Sequence, residues 1–114
     1  MDVVSEDRHT VKPWFQGRLP FTFALPELGG SNYQLLGGKV TYLQQRPTAE
    51  LLYQGGRHKI SVFIVQDSPG LGPVSGTSSF HVQHWVAGGL QYYVVSDATE
   101  PELSPLVTML KGAR

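Results

Sequence analysis

LLYQGGRHKISVFIV, residues 51–65, sets two apolar runs on either side of the glycine pair Gly55-Gly56. Both glycines can take positive φ without steric penalty, so the pair marks a tight link between strands and the stretch predicts a β-hairpin. Its second arm, residues 60–65, is almost continuously apolar and rich in β-branched side chains. A strand of that kind is covered on at least one face and sits centrally in its sheet. The other apolar segments are therefore read as packing around this hairpin.

Five strands are expected in all, over residues 39–45, 48–53, 57–66, 80–86 and 90–96. Gln45-Arg46-Pro47 and Ala87-Gly88-Gly89 supply turns between neighbours. The stretch 67–79, DSPGLGPVSGTSS, reads as a surface loop because Gly, Pro and Ser dominate it. Short links between successive strands imply an antiparallel meander. One helix closes the chain: Thr99 with Glu102 makes a capping-box pattern, and Leu103, Leu106, Val107 and Leu110 recur on a single helical face. Pro105 opens a competing start, with Ser104 as cap and Pro105 at the first helical position. Gly112 marks the stop.

Toward the N-terminus, residues 1–8 are polar and read as a disordered tail, leaving residues 9–112 as a single domain. In TVKPWFQGRLPF, residues 10–21, the prolines and Gly17 block a long regular element, so a short helical turn is expected at 13–16, followed by an extended crossing. Pro26-Glu27-Leu28, closed by Gly29-Gly30, reads as a further turn. Trp14, Phe15, Phe21 and Phe23 are too many aromatics for a free tail and place this arm on the sheet. The fold class is α+β: a five-stranded antiparallel meander with the C-terminal helix on one face and an N-terminal aromatic arm completing the core.

A chain of 114 residues fits one domain, removing roughly two-thirds of its unfolded surface from water. Nine basic side chains balance nine acidic ones. That neutrality leaves no electrostatic footprint for nucleic acid or an anionic membrane. The absence of cysteine excludes disulfides, thiolate zinc sites and cysteine nucleophiles. No run approaches the roughly 20 apolar residues that span a bilayer.

Histidine is the residue type that can both bind metal and move protons. His81 and His84 lie three apart in an expected strand, so they point to opposite faces and cannot share one ion without a bulge. His9, His58 and His84 can converge only through tertiary structure. A hydrolase built on Ser96, Asp97 and His84 lacks the G-x-S-x-G elbow, and serines at strand ends usually satisfy backbone groups. The carboxylates show no pair that spacing forces together, and those near Thr99 suit a helix N-terminus. No catalytic, cofactor or metal set is expected. Tyr92 and Tyr93 face opposite ways in a strand, so one of them lies off the helix-covered face. Such an aromatic either packs in a second layer or lines a ligand or partner surface.

Several pieces of the sequence resemble one family in order. His9-Thr10-Val11-Lys12-Pro13-Trp14-Phe15 with Gly17-Arg18-Leu19 is similar to the signature that opens the extracytoplasmic portion of transmembrane anti-sigma factors of the zinc-finger type. Leu36-Gly37-Gly38-Lys39-Val40, Arg46-Pro47, Leu52-Tyr53-Gln54, His58-Lys59-Ile60, His84-Trp85, Gly88-Gly89-Leu90 and Val95-Ser96-Asp97 follow in the same order, from about residue 7 to residue 110. The resemblance implies a non-catalytic sensor or regulatory domain on the periplasmic side of the inner membrane. It implies that a sigma factor is bound only by a cytoplasmic domain outside this chain, and that the membrane is reached through a helix outside it. The signal would be an envelope protein or a small molecule. Candidate contact residues are His9, Lys12, Trp14 and Phe15, and separately His84 with Trp85. A small-ligand or metal-binding module is the alternative reading.

Overall fold

The expected hairpin stands at the centre of a six-stranded sheet. A computed structural model describes residues 1–71 and 79–113. In chain order the elements are β1 (Val3–Val4), α1 (Arg8–Phe15), β2 (Tyr33–Leu43), β3 (Arg46–Gly55), β4 (His58–Gln66), β5 (His81–Ala87), β6 (Leu90–Ser96) and α2 (Glu100–Gly112). The fold is α+β with a wholly antiparallel sheet and a C-terminal helix. Residues 72–78 of the stretch expected as a surface loop lie outside the described residues.

Two expectations about the sheet are corrected. The sheet has six strands rather than five, because Val3 and Val4 pair with Gly38 and Gly37. The first residues, read as a tail, are held because this glycine pair presents bare backbone. A Cβ at Gly37 would fall 2.2 Å from the Val3 carbonyl oxygen. The sheet is also not a simple meander: its order is β1-β2-β3-β4-β6-β5. β6 takes the place beside β4, pairing Val62 with Val94 and Ile64 with Tyr92, and β5 becomes the edge. The inner place calls for a strand more deeply buried than the edge, and β6 is mostly buried where β5 is half-buried or exposed. LQYYVVS meets that demand better than HVQHWVA, with its two histidines and a glutamine.

Turn positions also shift. β2 and β3 join through Gln44 and Gln45, both at positive φ (48° and 66°), rather than through Arg46 and Pro47, which belong to β3. Pro47 is tolerated there because β4 begins to pair with β3 only at Thr48, so no ladder bond needs its missing N–H. The helical turn expected at 13–16 is a longer helix that starts at Arg8, where the Asp7 side chain accepts from the His9 N–H at 2.8 Å.

One face of the sheet carries the core. Leu51, Tyr53, Ile60, Val62, Ile64, Leu90 and Val94 meet Leu103, Leu106, Val107 and Leu110 of α2, while Val11, Phe15, Phe23 and Leu25 come from α1 and the arm after it. Thr99 is the cap of α2: its side chain accepts from the Glu102 N–H, and the Glu102 carboxylate accepts from the Thr99 N–H at 2.9 Å. Pro105 therefore lies inside the helix. The carbonyl it leaves without a helical donor belongs to Pro101, on the exposed side, where water can serve.

Candidate functional site

The candidate residues fall into two groups at opposite ends of the sheet, and the structure does not bring them together. α1 lies over β1 and β2, whereas β5 is the far edge. Within α1, Val11 and Phe15 are one turn apart and buried. Phe15 is 2% exposed, with its ring against Gly38 and edge-to-face with Phe23 at 5.4 Å. Trp14 is half-buried and carries the Arg18 guanidinium 4.3 Å over its ring. His9 is exposed and Lys12 half-buried, and with Arg8 and Leu25 they line one side of a shallow depression.

His84 and Trp85 are neighbours on β5 but leave on opposite faces of the sheet. Trp85 stays on the helix-covered face, stacked on Tyr92 at 5.1 Å, with the Lys111 ammonium 5.3 Å from its ring centroid. His84 is on the other face, 4.6 Å from the Tyr93 ring, and its Nε2 meets Gln91 Oε1 at 2.7 Å. Gln91 is 2% exposed and its amide is fully used. Nε2 donates to Asp67 Oδ1 at 2.7 Å and to the Leu71 carbonyl at 3.3 Å, while Oε1 also accepts from the Tyr93 hydroxyl at 2.8 Å. Burial, with the Asp67 charge adding to it, pushes the Tyr93 phenol up, so it stays a donor at neutral pH. The acceptor role of Oε1 makes His84 Nε2 the protonated nitrogen. Replacing Gln91 with leucine removes this hub, and we expect a loss of about 1–3 kcal/mol in chemical denaturation. The His84 ring resonances should also move toward those of a free imidazole; an unmoved ring would show that Gln91 does not hold it.

Beside this network lies an apolar groove of about 240 Å³ between Leu43, Phe63, Leu71, Val82, Tyr93 and Val95. The opposed faces of Tyr92 and Tyr93, legible in the alternation of β6, put Tyr93 here.

The arrangement least visible in the sequence surrounds His58. Its Nδ1 lies 2.9 Å from Asp97 Oδ1 and its Nε2 lies 3.3 Å from Glu102 Oε2. The chain reversal from β6 into α2 brings those two carboxylates together, and only the capping box hinted at where Glu102 would point. Because they approach opposite edges of the ring, they share no point at which a cation could sit. No group of three metal-ligating side chains converges among the described residues. The Ser96 hydroxyl donates to the Lys59 carbonyl at 2.8 Å and accepts from the Ala98 N–H at 3.1 Å, on the face of the sheet away from His84. The Ser96, Asp97 and His84 combination is therefore not assembled.

Thr99 supplies the first and second causes that lower the Glu102 carboxyl below its ordinary 4.5, through its backbone and then its side chain, with His58 adding to them. A depressed carboxylate favours the folded state above the unfolded value, and that contribution is lost as pH falls through the folded one. The α2 cap should accordingly hold at neutral pH and loosen only in acid below 4.5. An NMR titration of Glu102 checks this, and a midpoint at or above 4.5 contradicts it.

Compared with protein-family models, curated proteins and solved structures, the chain gives no match in any of the three.

Proposed function

We propose that this chain is the extracytoplasmic sensor or regulatory domain of a membrane-bound anti-sigma factor, acting without catalysis on the periplasmic side as part of a longer protein. The observation that carries the reading is the ordered set of sequence pieces running from His9 to Asp97. Two of them are in direct contact: Phe15, from the first, lies against Gly38, from the second, close enough that a Cβ there would stand 2.8 Å from the ring. A motif pair that interlocks in space is what a shared fold would require.

In this role an envelope signal changes the contacts, stability or protease access of the domain, and the change is passed along the chain to a cytoplasmic sigma-binding part. On this reading the membrane helix lies in another part of the longer protein; among the described residues no helix is long and apolar enough to cross a membrane. The test is the complete reading frame that carries this chain. It should encode, ahead of these residues, an apolar helix of about 20 residues and a His/Cys zinc motif. A complete frame with neither sinks the proposal.

The groove between Phe63, Val82 and Tyr93 favours a second reading, a small-ligand module. Titration with small apolar probes, followed by amide shifts, should then perturb β4, β5 and β6 around that groove alone.

A further inference from the structure

We infer that β5 is a self-association edge, through which two copies of this chain join their sheets by antiparallel pairing of His81–Ala87 with its symmetry mate. The inference is independent of the proposed function.

β5 is the last strand of the sheet, bonded to β6 on one side only. Among the described residues, its main chain makes no other hydrogen bond. Folded proteins guard such edges with charge, proline, bulges or very short strands, because a bare row of N–H and C=O groups templates another strand. The opposite edge has these guards. β1 is two residues long, β2 has a register shift between Leu35 and Gly37, and Lys39 stands on its outer stretch. β5 has none of them: HVQHWVA holds no Asp, Glu, Lys, Arg or Pro and pairs without a register break over seven residues.

The self-complementarity of the strand points to a second copy as the occupant. Directly opposed residues of an antiparallel pair point to the same face, so a two-fold axis perpendicular to the sheet can only oppose positions of equal parity. The register with greatest overlap sets His84 against its own mate, Val82 against Val86, Gln83 against Trp85 and His81 against Ala87. With the histidines neutral, no like-charged pair results. Val86, 51% exposed, gains an apolar cross-strand partner in Val82, which already lines the groove on that face. Both α2 helices fall on the same side of the joined sheet, and the pairing closes on itself without leaving a further free β5.

A single strand pair is a small interface, so the expected dimer has a Kd in the micromolar range. The test is sedimentation equilibrium of the full chain over a concentration series, with amide hydrogen exchange on the associated form. Association with new protection at residues 81–87 is expected. Val86→Lys places an ammonium on the edge and should weaken association at least about tenfold, whereas Ser104→Lys, on the exposed side of α2, should not. Unchanged far-UV circular dichroism and melting temperature would show that both variants remain folded. Monomer at every concentration overturns the inference and leaves the edge to a strand from a different protein. Dimerisation of Val86→Lys equal to the wild type, or protection confined to other elements, also overturns it.

Discussion

Phe15→Ala is expected to destabilise the domain by about 3–5 kcal/mol, out of a total that for domains of this kind is about 5–15. The ring is 2% exposed and is clasped from three directions, by Trp14 at 5.0 Å, by Phe23 at 5.4 Å and by the bare backbone of Gly38. Removing it loses the transfer energy of a buried aromatic and leaves a void that the glycine side cannot fill. The damage should spread locally, because the same ring sits beneath the junction of α1, β1 and β2. Equilibrium urea denaturation measures the loss, and hydrogen exchange should show β1 amides deprotected before those of β4. A loss under about 1 kcal/mol would mean that the ring is not packed as described.

The second large effect is expected on α2, where Leu106→Ala should cost about 2–5 kcal/mol. Leu106 is fully buried, with Leu103 before it and Leu110 after it on the same stripe, both facing the centre of the sheet. Thr108 lies on the exposed side of the same helix and provides the control. Its replacement by alanine should stay within about 0.5 kcal/mol, since it leaves no cavity and strands no polar group. Equal effects at the two positions would contradict the orientation of the helix.

The hairpin over residues 51–65 and the helical stripe were legible because their signals are local. Gly56 takes positive φ in the turn after β3, although Gly55 closes that strand opposite His58 and leaves Arg57 as the second turn residue, and the spacing of Leu103, Leu106, Val107 and Leu110 fixes one face of α2. What escaped was non-local or chemically unmarked. Gln44 and Gln45 form a left-handed turn with no glycine or asparagine to announce it, so the sequence points instead to Gln45-Arg46-Pro47. β1 depends on two glycines more than thirty residues away, so nothing within MDVV predicts it. The exchange of β5 and β6 is recoverable in principle from polarity, but short links favour a meander and the Gly, Pro and Ser of 67–79 say nothing of where the next strand pairs. At the candidate sites, alternation along β6 separated Tyr92 from Tyr93 correctly. The enclosure of His58 depends on where a chain reversal places two carboxylates, and spacing in the sequence says little about that.

The exchanged strand order also carries a temporal consequence. β5 precedes β6 in the chain, yet β6 is its one partner in the sheet and stands between it and β4. During synthesis β5 therefore leaves the ribosome before the strand it will pair with has been made. For that interval an uncharged segment lacks its native pairing partner. It reaches the edge only once β6 exists, either on a β6 already seated against β4 or as a β5–β6 hairpin that docks as one unit.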